Sequence, residues 1–94
     1  MTVFAVHYRY VNQPDVVTAN RPAHRDFLRG LLEQGTVLAA GAYPDGPAGA
    51  LLILRGDSEE QIAGLLAADP FQQLGLVQGC QIRAWGQAMG PWAG

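Results

Sequence analysis

The sequence predicts an α+β fold, a four-stranded antiparallel sheet with two helices on one of its faces. Three observations lead there. Segments of strand-like patterning alternate with segments of helical spacing in the order β-α-β-β-α-β. The two middle strands are joined only by the turn-rich "PDGPAG", so they pair as an antiparallel hairpin. The chain has 94 residues, room for a single domain with a thin core and a short tail at 87–94. That order of elements is the split βαβ, or ferredoxin-like, sandwich.

The first strand is "TVFAVHYRYV", residues 2–11, rich in β-branched and aromatic side chains. Period two puts Phe4, Val6, Tyr8 and Tyr10 on one face and Val3, Ala5, His7 and Arg9 on the other. "NQPDVVTAN" then reads as a loop, with Pro14 and Asp15 as breakers. A helix follows from Asn20 or Arg21, with Pro22 in its first turn, where a missing N–H costs nothing. Ala23, Phe27, Leu28, Leu31 and Leu32 form its apolar stripe, and Gly35 ends it as the left-handed residue past the cap. "TVLAAGAY", 36–43, is the second strand. "ALLILRG", 50–56, is the third, and its unbroken apolar run asks for cover on both faces. In "DSEEQIAGLLAAD" Ser58 and Gln61 form a capping box, Glu59 and Glu60 suit the positive helix start, and Ile62, Leu65 and Leu66 point inward. "VQGCQIRAWG", 77–86, is the last strand, and "QAMGPWAG" is a tail with an exposed Trp92. On this reading the two helices lie side by side and antiparallel, while strands one and four are not neighbours. The sheet face away from the helices has nothing in the chain to cover it, which points to a homodimer formed face to face.

Composition narrows the function. Charged residues make up 15% of the chain, against about 25% in an average domain, and such a surface suits a partner. The net charge is −2, with six arginines and no lysine. No basic cluster of the kind nucleic acid needs is visible. The single Cys80 excludes an internal disulfide and a multi-cysteine zinc site, and reads as a small buried residue. The opening residues lack a signal-peptide pattern and no segment is long and apolar enough to span a membrane, so a cytoplasmic location is expected. Neither a phosphate loop nor a nucleotide-binding or serine-hydrolase motif occurs, and no cofactor or metal is expected.

The residues left to carry chemistry are few. His24 leans toward the buried stripe in what reads as the first helical turn. There the helix dipole disfavours a cation and keeps the imidazole neutral, as a general base requires. The alternative is a half-exposed histidine bonded to a loop carbonyl. Asp69, in "AADPFQQLGL", reads locally as the N-cap of one short turn opened by Pro70. It also suits the carboxylate partner of a histidine. The side-by-side helices allow His24 and Asp69 to meet. His7, Arg9, Arg21 and Tyr43 are candidate substrate-binding residues; the alternatives are an interface residue for His7, a solvated strand end for Arg9 and a packed turn aromatic for Tyr43.

The stretches "RPAHRDFLRGLLEQGTVLAAGAYPDG" and "ADPFQQLGLVQGCQIRAW" resemble the YciI-like family over residues 2–86. In that family an "RPxH" helix start and a "DPF" or "DPY" motif before the last strand recur in this order. The resemblance implies a dimeric α/β-barrel variant of the ferredoxin-like fold and a His–Asp pair carried by His24 and Asp69. It also implies kinship with muconolactone isomerase and with a dehydrochlorinase acting on a chlorinated hydroxymuconate. The chain departs from the family after Gly41, where "AYPDGPAG" is shorter than the loop of many relatives and lacks polar residues often found there. The reading is then a small cofactor-free acid–base enzyme (isomerase, dehydrochlorinase or hydrolase-like) acting on a small anionic or phenolic molecule. The alternatives are a non-catalytic ligand-binding or accessory dimerisation module, and a cofactor-free monooxygenase.

Overall fold

Alternation along the first strand decides which sheet face is buried. In the computed structural model, which describes residues 1–93, β1 spans Thr2–Tyr10. Its Phe4, Val6, Tyr8 and Tyr10 are buried, while His7 and Arg9 are exposed on the other face. The chain continues through α1 (Pro14–Glu33), β2 (Val37–Ala42), β3 (Gly49–Gly56), α2 (Glu59–Leu66), the single turn α3 (Pro70–Gln73) and β4 (Val77–Ala84). The expected α+β, ferredoxin-like architecture is present: one antiparallel sheet in the order β2-β3-β1-β4, with the helices on the face that carries Tyr8.

Two details of the sheet differ from expectation. Strands β1 and β4 are neighbours, paired from Phe4↔Ala84 to Tyr10↔Val77. Each βαβ crossover skips one position, so β3 settles on one side of β1 and β4 on the other, leaving β2 at an edge. Cys80 is exposed, not buried, because β4 is the opposite edge strand.

The first helix begins at Pro14, not at Asn20 or Arg21. Pro14 occupies its first turn, where proline is tolerated, and Asp15 beside it favours the positive helix end. Both residues had the look of breakers, yet they start the helix. Pro22 therefore lies inside the helix, on its exposed side, where water can take the carbonyl of Thr18 that loses its partner. The buried stripe is Val17, His24, Leu28 and Leu31. Gly35 ends the helix as expected. Its φ of 80° lets its N–H reach the carbonyl of Leu32 (3.0 Å) and the Thr36 N–H reach that of Leu31 (2.9 Å). The same closure recurs after α3, where Gly75 (φ 70°) bonds Gln72 and Leu76 bonds Phe71.

In α2, the Ser58 hydroxyl accepts the Gln61 N–H at 3.1 Å, and the Gln61 side chain accepts from Asp57 N–H rather than from Ser58. Beyond β4, Trp92 is half-buried, not exposed. Its backbone N–H donates to the Gln87 side chain, and it shares a depression with Met1, Val3 and Arg55.

Strand β2 contains an irregularity that matters for the site. Val37 pairs with Leu54 but Ala39 pairs with Ile53, so Leu38 is an extra residue. Alternation shifts by one at that point. Val37 faces the helices, and after the bulge so do Ala40 and Ala42, opposite Leu52 and Ala50.

Two glycines test the packing in opposite directions. A Cβ on Gly49 would collide with the Tyr8 carbonyl, a backbone atom that cannot swing away, whereas a Cβ on Gly64 in α2 meets open space. Gly49→Ala is expected to cost about 1–3 kcal/mol by forcing β3 away from β1. Gly64→Ala is expected to stabilise by about 0.5–1 kcal/mol through helix propensity. Urea unfolding of the two variants measures both signs.

Candidate active site

Three elements bring polar groups to one buried point. Asp69 is fully buried at the N-cap of α3. Its Oδ1 accepts the Phe71 N–H at 3.0 Å, which is the capping role the Asp-Pro sequence suggests. The same carboxylate meets His24 Nδ1 at 2.9 Å through Oδ1 and 3.0 Å through Oδ2. Capping and pairing are therefore not alternatives, because one side chain does both. A third contact comes from β1, where the Tyr8 hydroxyl donates to Oδ2 at 2.9 Å.

Tyr8 is the residue sequence reasoning passed over as a site member. Period two sets it on one face with Phe4, Val6 and Tyr10 without saying which face is buried. The available signal was chemical: a tyrosine on the buried face of a central strand needs a partner for its hydroxyl. Burial, and then the Asp69 charge, hold this hydroxyl well above the ordinary phenol range, so it stays a donor. Burial likewise raises Tyr10.

The position of His24 corrects one premise. It stands near the midpoint of a 20-residue helix and not in its first turn. The dipole acts within the terminal turns and does not reach it. What fixes the imidazole is contact. Its ring stacks on Phe71 at 4.0 Å with planes 4° apart, and its Nδ1 faces only acceptor oxygens. Nδ1 must then carry the hydrogen, so the lone pair of the neutral ring sits on Nε2. Nε2 makes no hydrogen bond among the described residues, and no fully buried side-chain nitrogen or oxygen there lacks a partner. It is thus the one ring nitrogen open to the adjoining cleft.

That cleft, about 290 Å³, lies between α1 and the β2–β3 edge. Tyr10, Leu28 and Leu52 form its apolar floor, and Ala40, Ala42 and Ala50 form a wall of methyl groups. Arg21, Arg25 and Arg29 line the helix side beside His24. A smaller groove of about 130 Å³ continues toward the start of α1, bounded by Arg21, Tyr10 and Tyr43.

Of the other expected binding residues, Arg21 lines the His24 cleft and Tyr43 lines the adjoining groove. His7 lies on the opposite sheet face, where its Nδ1 hydrogen-bonds the Tyr43 hydroxyl at 2.8 Å. Arg9 is on that face too, beside Gly79, and does not come near His24. Among the described residues no three His, Cys, Asp or Glu side chains converge as a metal would require, and no helix is long and apolar enough to cross a membrane.

Residues 1–86 match the YCII-related domain. The chain belongs to the YCII-related family. The YCII-related fold is shared by a 5-chloro-2-hydroxyhydroquinone dehydrochlorinase (TftG) from Burkholderia phenoliruptrix AC1100, solved in complex with 2,5-dihydroxybenzoquinone. That structure superposes with a TM-score of 0.77 at 20% identity, covering 88% of this chain and 92% of the dehydrochlorinase. Its named substrate is an aromatic hydroxyhydroquinone, whereas the dehydrochlorinase that the resemblance implies as kin acts on a chlorinated hydroxymuconate. Comparison with curated proteins finds no significant match.

The hydrogen-bond cluster makes two measurable claims. Asp69→Ala leaves three buried donors unsatisfied and is expected to cost about 3–5 kcal/mol, while Asp69→Asn keeps an acceptor and costs less than half of that. Tyr8 binds its proton more tightly folded than unfolded, so its contribution is complete below about pH 10 and is lost as pH rises further. Tyr8→Phe is therefore expected to flatten the alkaline decline in stability by up to about 1.4 kcal/mol per pH unit above pH 10. Denaturant unfolding at pH 8 to 11.5 reads both.

Proposed function

We propose that this YCII-related protein is a small cofactor-independent enzyme in which His24 is the general base and acid and Asp69 orients it. The observation that supports the reading is a buried imidazole with one nitrogen committed to a carboxylate and the other open to a cleft. In turnover Nε2 takes a proton from a carbon acid or a water molecule. The Asp69 carboxylate stabilises the imidazolium that forms without itself taking the proton. For an isomerisation the same proton returns to another carbon. For a dehydrochlorination the C–H electron pair becomes a double bond and chloride departs. Both reactions need little beyond one base in an apolar, partly dry pocket. Arg21 is the favoured substrate-binding residue, and Tyr43, held by His7, bounds the outer groove.

The dehydrochlorinase likeness supports a hydroxylated or chlorinated ring as the first substrate to try. Chloride release from 5-chloro-2-hydroxyhydroquinone, with an enolisable keto acid as the second probe, provides the assay. His24→Gln is expected to lower turnover by about 10²–10⁴-fold with an unchanged circular dichroism spectrum. Full activity in that variant removes His24 from the mechanism. Ligand binding with no turnover of any probe favours the binding-module reading.

We further propose that two copies pair through the uncovered sheet face. Leu51 and Trp85 supply apolar surface there, with Trp85 40% exposed in the single chain. Sedimentation is expected to give a dimer for the native chain and a monomer for Leu51→Glu. A native monomer at micromolar concentration removes this proposal.

A further inference from the structure

We infer that Arg21 and Arg25 form a carboxylate clamp beside His24, so that the ligand of this cleft carries a carboxylate within one helical turn of Nε2. The inference rests on the cleft being the substrate site and narrows what enters it, so that of the two turnover probes it favours the enolisable keto acid over the hydroquinone, which has no carboxylate.

Arg21, Arg25 and Arg29 stand at i, i+4 and i+8 of α1 and line the same cleft as His24. Residues at this spacing are helix-face neighbours, with Cβ atoms about 5–6 Å apart, and like charges so placed repel. Only the last of the three is compensated. Asp26 accepts from Arg29 Nη1 at 2.8 Å, and no ion pair holds Arg21 or Arg25 among the described residues. Among the described residues no acidic side chain lines the cleft, and its far wall is alanine and glycine. Two uncompensated guanidinium groups thus flank an enclosed base, facing a wall with no polar side chain to balance them.

A bound anion removes that repulsion. The type of cation indicates which anion. A guanidinium presents its N–H groups as a planar fork that matches the two oxygens of a carboxylate, while a phenol offers a single oxygen. The apolar floor of Tyr10, Leu28 and Leu52 takes the hydrocarbon body of the ligand. With one carboxylate bound, the two guanidinium groups keep one net positive charge beside Nε2, where an enolate or departing anion would develop.

Benzoate and its neutral isostere benzamide are suitable probes, titrated by calorimetry into the intact protein. Wild type is expected to bind benzoate at least about tenfold more tightly than benzamide. Arg21→Gln and Arg25→Gln each reduce that ratio, and the double variant brings it to one. Arg83→Gln, on the other sheet face, leaves it unchanged. Both arginines are polar-for-polar replacements at the surface, and urea unfolding confirms that the variants fold. Equal affinity of wild type for the two probes, no benzoate binding at millimolar concentration, or a preference that survives the double substitution overturns the clamp. His24→Gln separates the two readings: it is expected to keep the benzoate preference while losing turnover. A clamp without catalysis and catalysis without a clamp are thereby distinguishable.

Discussion

A carboxylate with no solvent exposure is the constraint around which this protein is organised. Burying the Asp69 side chain would cost several kcal/mol without partners. It is tolerated because three donors reach it from three elements: the Phe71 N–H of α3, the Tyr8 hydroxyl of β1 and the His24 Nδ1–H of α1. The long helix, the central strand and the short turn before β4 are tied together at this point. The tie also dictates chemistry. Because Asp69 consumes Nδ1, the open nitrogen is Nε2, and because Phe71 stacks on the ring, the imidazole has no freedom to turn away.

The fold was legible because its signals are local. Alternation in β1, the glycine after α1, the Ser58 cap and the hairpin turn each act within a few residues, and together they leave few possible topologies. What misled was local as well. Pro14 and Asp15 suit a turn and suit a helix start equally, and only the packing of Val17 against the sheet decides between them. The neighbouring positions of β1 and β4 and the exposure of Cys80 both follow from sheet order, which no short segment encodes. At the site, His24 and Asp69 were found by residue type and family pattern. Tyr8 was missed because a tyrosine on an apolar face looks like core until its hydroxyl is given a partner sixty-one positions away.

The two sides of the cleft differ in what they contribute. All of its charge and its only base come from α1, while β2 and β3 offer methyl groups, glycine and Leu52. One helix thus carries the chemistry and the sheet edge provides the space. Depth on that side is set by side chains that end at Cβ, so any larger residue at Ala40, Ala42 or Ala50 would reduce the volume without touching the base.

The extra residue Leu38 bears on that division. Because it lies in an edge strand, only β3 has to accommodate it. Losing it would let Ala39 follow Val37 directly, opposite Ile53 and Leu54 respectively, and Ala40 and Ala42 would still face the cleft. The bulge is therefore slack: a one-residue deletion ahead of Ala40 is absorbed by straightening of the edge strand. Length can change there while the wall and the proton-handling apparatus opposite it both stay as they are.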